Sequence, residues 1–265
     1  MGRPPTYRTI NPETGKPLRV PGVTTVAKRY GDPGGLIHWA HDLGLQGLDY
    51  RKVRDAAANI GTWAHDRVEA WCMGWDDPSP PADFTAEQIE AGQSSWRAFE
   101  EWAHGSALKV DRCEVPMVYY QAARDPEDSD LRAHLGFELP PFGGTWDAVG
   151  TMAGRSDLVL VDWKTSGRVG PEMLVQMGGY QILLRYGVEV DDKTGKPIEP
   201  KAQPRFGITG VHLARFSKEH GDFEHRYFPL APLPEAFADP NSPASCFARL
   251  RLHYGAHAVL KKRTA

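Results

Sequence analysis

The chain has 265 residues, 41% of them hydrophobic and eight of them tryptophan, so it can bury a full core, and no long linker divides it. Its formal net charge of −3 does not exclude nucleic-acid binding, because carboxylates gathered at one site can offset a basic groove elsewhere. No run of 18 apolar residues occurs and Met1-Gly2-Arg3-Pro4-Pro5 lacks the apolar stretch of a signal peptide, so a cytoplasmic location is expected rather than membrane insertion or secretion.

Apolar periodicity predicts a helical N-terminal region: Leu36 to Leu45, Tyr50 to Asn59, Thr62 to Met73 and Ala86 to Ala103, separated by Gly, Pro and Asp. Strands rich in β-branched and apolar residues are then expected near Lys109 to Tyr119, Gly144 to Thr151 and Asp157 to Trp163. Pro171-Glu172 opens a helix running to about Arg185, and strands follow near Phe206 to Ala214 and Glu224 to Phe228. The expected fold class is α/β in the α+β sense, a central mixed β-sheet flanked by helices. One domain over 1–265 is expected, with an N-terminal segment and helical flank (1–105), a sheet core (106–230) and a C-terminal helical segment (231–265). Two polar connections, Ala122 to Pro141 and Val190 to Pro204, are punctuated by turn residues. The second carries Thr194-Gly195-Lys196-Pro197, which repeats Thr14-Gly15-Lys16-Pro17. Both copies read as turns. Neither is a phosphate-binding loop, since the spaced second glycine is missing and Pro follows the Lys, so ATP use is not supported.

The most informative stretch is Gly144-Thr145-Trp146-Asp147, followed fifteen residues past Asp147 by Asp162-Trp163-Lys164. A two-residue hairpin turn centred on Gly154-Arg155 pairs Asp147 with Asp162, with Cβ atoms roughly 5 Å apart. Period-2 alternation puts Lys164 on that face, beside Thr145. Like charges directly opposed weaken a sheet, and a bound divalent cation would compensate. The other possibility is an ordinary solvated hairpin, because a one-residue slip removes the cluster.

Within the helix opened by Pro171, Gln176 and Tyr180 are spaced i, i+4 on one face. Upstream, Gly61 and His65 stack on one helix face and Glu69 continues the row. The order G-x-x-x-H, an acidic strand residue, G-x-x-D, D-x-K and Q-x-x-x-Y resembles the RecB-like branch of the PD-(D/E)XK nuclease superfamily. The matching residues are His65, Glu114, Asp147, Asp162, Lys164, Gln176 and Tyr180, and the resemblance covers roughly positions 20 to 230. The segment Val20-Pro21-Gly22-Val23-Thr24-Thr25-Val26 is similar to that of phage-encoded members.

This resemblance implies a restriction-endonuclease-like core of helix, three strands, helix and strand. It implies that Asp147 and Asp162 bind Mg²⁺ or Mn²⁺, that the Trp163 carbonyl adds a ligand, and that His65 contributes an imidazole that would make Mn²⁺ an effective substitute for Mg²⁺. Glu114 would contact a second metal or a metal-bound water, although a Glu near a strand start equally fits a solvated residue. Lys164 would orient or deprotonate the attacking water, or meet negative charge developing on the phosphate. Gln176 and Tyr180 would position the DNA backbone or Lys164, although Tyr180 equally fits a helix-to-sheet packing contact. Some RecB-like members carry a four-cysteine iron-sulfur cluster. Cys72, Cys113 and Cys246 cannot build one, and with no C-x-x-C pair they read as buried thiols.

The implied activity is a metal-dependent DNA exonuclease acting on linear duplex or single-stranded DNA, in phage recombination, repair or end processing within the host cytoplasm. A structure-specific or single-strand endonuclease would use the same residues. A catalytically silent DNA-binding module would be expected to have lost at least one of Asp147, Asp162 and Lys164. By analogy with phage exonucleases, a single-strand-annealing recombination protein is a plausible partner and a homo-oligomer, such as a toroidal trimer, a plausible assembly. Lys28-Arg29, Arg51 to Arg54 around Lys52, and the run of Arg249, Arg251, Lys261, Lys262 and Arg263 are candidate phosphate contacts, each equally a solvated helix face. His38, His41, Trp63 and Trp146 are assigned no ligand or base-stacking role.

Overall fold

The structure, a computed structural model, describes residues 6–11, 14–31, 33–120, 129–166, 168–191, 193–198, 207–217 and 222–263. Phe206, at the start of an expected strand, lies outside the described residues, as do the side chains of Lys261, Lys262 and Arg263.

Strands β1 (Thr6–Ile10) and β2 (Pro17–Pro21) form an antiparallel hairpin, followed by helices α1 (Val23–Ala27), α2 (Pro33–Leu45), α3 (Tyr50–Met73) and α4 (Ala86–Gly105). The two helices expected on either side of Gly61 are one. α3 starts at Asp49, whose carboxylate accepts from the Arg51 N–H at 2.9 Å, and ends at Gly74 in the left-handed conformation, φ +67°. Ile60 and Gly61 are buried, so packing outweighs the roughly 1 kcal/mol that a mid-helix glycine costs. α4 opens on a capping box in which Thr85 and Gln88 exchange side-chain-to-backbone hydrogen bonds of 3.3 and 2.8 Å.

The remaining elements are β3 (Lys109–Tyr119), α5 (Ser129–Leu135), β4 (Phe142–Thr151), β5 (Leu158–Lys164), α6 (Pro171–Tyr186), β6 (Val188–Glu189), β7 (Ile208–Phe216), β8 (Phe223–Pro229), α7 (Leu233–Ala238) and α8 (Pro243–Arg263). Six strands make one mixed sheet in the order β6-β3-β4-β5-β7-β8, with β5 and β7 parallel and every other pair antiparallel. The parallel pair follows from the crossover through α6, which an antiparallel hairpin would not need. The expected polar connection before Pro141 contains α5, because Leu131 and Leu139 are both buried in the core.

Helices cover both faces. α1, α6, α7 and α8 pack on one, with Trp146, Leu160 and Val211 beneath them, and α3 and α4 pack on the other, over Ala148, Val161 and Trp163. Strand alternation changes sense in β3 and β4 at the same level. Val115 and Trp146 face the α6 side, whereas Cys113 and Ala148, two residues away and paired with each other, face α3 and α4. Glu114 and Asp147 lie at this reversal.

The hairpin between β4 and β5 is wider than two residues. Both strands stop short, leaving residues 152–157 as a loop in which Gly154 adopts φ +72° and Arg155 grips Asp157 at 2.9 and 2.6 Å. Asp157, expected in β5, therefore belongs to the loop. The register survives: Ala148 pairs with Val161, Val149 with Leu160 and Gly150 with Val159, the set a centre between residues 154 and 155 dictates. Among the described residues, no helix is long and apolar enough to cross a membrane.

Candidate metal centre

Gly144 lets helices sit directly on β4. A Cβ there would come within 2.9 Å of Tyr180 Cε1, Leu183 Cδ1 and Val23 Cγ2, so any larger residue would lift α6 and α1 from the strand. Two residues on, Trp146 is fully buried with Nε1 donating to Met117 Sδ at 3.2 Å. Asp147 follows, also fully buried, and its Oδ2 accepts from the Trp163 N–H at 2.8 Å. β4–β5 pairing ends at Ala148 and Val161, and one step beyond it the Asp147 carboxylate takes the place of a ladder partner. That bond fixes where the carboxylate points.

Glu114 lies opposite Asp147, between the pairs Cys113 with Ala148 and Val115 with Trp146. Its φ is +48°, a left-handed conformation in which a non-glycine residue costs about 1–2 kcal/mol. Ordinary alternation would not bring Glu114 to this point; the reversed backbone does. From the facing helix, α3, comes His65. Ligand atoms of His65, Glu114 and Asp147 all lie within 4.8 Å of one another. At that separation two carboxylates repel by about 3 kcal/mol at an effective dielectric near 20. His65 lines a small, mostly apolar pocket with Ala64, Val68, Trp96, Phe99 and Trp163, to which Ser95 and Thr165 also contribute.

Asp162 stands outside this triad. It is fully buried, and its Oδ2 is ion-paired with Lys164 Nζ, which alternation places two residues along the same strand. Its Oδ1 is buried with no hydrogen-bond partner among the described residues. Lys164 is 16% exposed, so its ammonium, unlike the Asp162 carboxylate, keeps some access to solvent. Trp163 contributes its backbone N–H to Asp147 while its ring is core, edge-on to Phe99 at 5.6 Å between centroids. Gln176 Nε2 donates to Tyr180 Oη at 3.0 Å, both residues being buried in α6. Tyr180 is fully enclosed and packs against Gly144, the packing role its spacing had left open.

Among the other residues singled out in the sequence, His38 and His41 are exposed on α2, whereas Trp63 and Trp146 are core. Arg251 is not a surface cation. Its guanidinium is buried, donates twice to the Pro141 carbonyl at 3.0 and 2.7 Å, and is pulled down to about 10 by burial. Of the three cysteines only Cys113 is buried. Spacing alone did not pair Cys72 with Cys113, yet the two thiols influence each other, Cys72 being raised far above the usual thiol range and Cys113 lowered. The available signal was indirect: Cys72 falls two helical turns after His65, and Cys113 adjoins Glu114.

One imidazole and two carboxylates, beside a buried Asp162 oxygen with no hydrogen bond among the described residues, fit a hard divalent cation such as Mg²⁺ or Mn²⁺. No protein-family model matches this chain, and no curated protein matches it.

Proposed function

We propose that the protein is a metal-dependent DNA exonuclease of the RecB-like PD-(D/E)XK type, hydrolysing phosphodiester bonds in phage recombination or end processing. The observation that carries this reading is the convergence of His65, Glu114 and Asp147 from α3, β3 and β4, beside the buried Asp162–Lys164 pair. A bound Mg²⁺ or Mn²⁺ would neutralise phosphate charge and lower the pKa of a coordinated water. His65, Glu114 and Asp147 would hold it, with Asp162 adding its second oxygen. The Trp163 N–H keeps Asp147 aimed, and Asp162 holds the Lys164 ammonium. Lys164 would orient the attacking water or meet charge developing on the phosphate. The Gln176–Tyr180 pair acts by fixing α6 against β4 rather than by touching the substrate.

End-labelled linear duplex and single-stranded DNA, beside circular controls, tests this with Mg²⁺, Mn²⁺ or EDTA. Loss of linear DNA only, abolished by EDTA and by Lys164→Ala, is the expected result. Cutting of circles would make the enzyme an endonuclease. No metal-dependent cleavage of any substrate would reduce the protein to a DNA-binding module.

A further inference from the structure

The β1–β2 hairpin lies on the sheet beside the candidate metal centre. Tyr7 covers Gly143, where a Cβ would meet the ring at 2.6 Å, and Tyr7 Oη is 3.0 Å from Thr145 Oγ1, two residues before Asp147. With Tyr7 and Val20 turned inward, alternation turns Arg8 and Arg19 outward, and the register sets these two exposed arginines directly opposite each other. Opposed like charges weaken a two-stranded ribbon. No acidic side chain among the described residues pairs with either one.

The repeated Thr-Gly-Lys-Pro turns meet at this place. Each is closed in the same way, by Asn11 N to Lys16 O at 2.8 Å and by Asp191 N to Lys196 O at 2.9 Å. Gly195, at φ +68°, presses on β1 so closely that a Cβ would come 2.7 Å from the Arg8 carbonyl oxygen. Lys16 and Lys196 are both exposed. Asp191 is occupied within its own turn, accepting from Thr194 N at 2.7 Å and Thr194 Oγ1 at 2.8 Å. Arg8, Lys16, Arg19 and Lys196 thus lie exposed on adjoining elements, and no ion pair to any of them occurs among the described residues.

We propose that Arg8 and Arg19, supported by Lys16 and Lys196, bind the phosphodiester backbone of a nucleic-acid strand leading past Thr145 to the metal centre. This rests on the nuclease reading. A polyanion supplies the missing counter-charge, and a ribbon anchored through Tyr7 to Thr145 holds that charge at a fixed distance from Asp147.

The test uses the full chain and a short end-labelled duplex, with binding measured in Ca²⁺ across a KCl series and turnover in Mg²⁺. Arg8→Gln with Arg19→Gln is expected to flatten the slope of log Kd against log salt by about 2, one unit per lost phosphate contact. KM should rise while kcat holds. Arg8→Lys with Arg19→Lys should keep the wild-type slope, and so should Arg226→Gln on β8, a control for loss of surface charge. The melting temperature of the glutamine variant should equal or exceed that of the wild type, since an opposed pair has been removed. An unchanged slope and KM in the glutamine variant, with the wild type cleaving DNA, overturns the ribbon alone. A wild type that neither binds nor cleaves DNA overturns the nuclease reading as well.

Discussion

Replacing Glu114 separates the backbone strain of the candidate metal centre from its charge. At φ +48° a non-glycine side chain costs about 1–2 kcal/mol, which glycine recovers, while glycine loses about 0.5–1 kcal/mol of additional chain entropy on folding. Glu114→Gly is therefore expected to be more stable than Glu114→Ala by about 1 kcal/mol, or roughly 2–4 °C in Tm for a chain of this size. Both variants lose the carboxylate, so its repulsion with Asp147 and any bond it accepts cancel in the comparison. Metal response provides the second half. Wild type should gain about 2.7 kcal/mol at a Mn²⁺ concentration a hundredfold above its Kd, and neither variant should follow it, because the triad has lost one of its ligands. Thermal unfolding followed by circular dichroism, in EDTA and in Mn²⁺, reads both effects. The reasoning fails if Glu114→Ala melts at or above Glu114→Gly, as at an unstrained strand position, or if Mn²⁺ lifts the variants as far as the wild type.

Lys164→Met would leave the Asp162 carboxylate buried without its ion partner, so urea unfolding should show a loss of about 3 kcal/mol, most of it regained on adding Asp162→Asn. A single-variant loss under about 0.5 kcal/mol would show that the pair is solvated, as exposed ion pairs are. On β7 and β8, His212 Nδ1 and His225 Nε2 lie 2.7 Å apart with rings nearly parallel. Burial and the neighbouring His225 hold His212 down at about 4, against an ordinary 6.5. The unfolded chain takes up this proton first, so stability should fall as pH drops from 6.5 towards 4, by about 2 kcal/mol once partial solvent screening is allowed for. His212→Gln should flatten that limb of the pH–stability curve; an unaltered limb would place its cause elsewhere.

Much of the candidate site was legible because its residues follow local rules. Asp147, Asp162 and Lys164 were placed together by strand period and turn centre alone, and the β4–β5 pairs keep that register even though the loop is longer than expected. His65 on a helix, and Gln176 with Tyr180 one turn apart, likewise follow from helix geometry. The longer helices and strands were legible for the same reason, apart from the join at Gly61, where burial overrode a local break signal, and Asp157, which falls in the loop; α5 and the short elements, the β1–β2 hairpin among them, were not.

The division of labour within the charge cluster was decided only by tertiary structure. Sequence puts Asp147 and Asp162 opposite each other; folding gives Asp147 to His65 and Glu114 and gives Asp162 to Lys164. The reason is that α3 and β3 are distant in sequence from β4 and β5, and a periodic reading carries no information about which carboxylate a remote element will approach. Glu114 shows this most directly. A strand pattern assigns each residue a face, but the positive φ that turns Glu114 toward His65 breaks that pattern, and it persists because the paired strands on both sides hold it. The same holds for Arg8 and Arg19, whose opposition is a matter of hairpin register, but whose place over β4 depends on Tyr7 finding Thr145 across 138 positions of chain. Local chemistry set the elements and their faces; only long-range packing chose which faces meet.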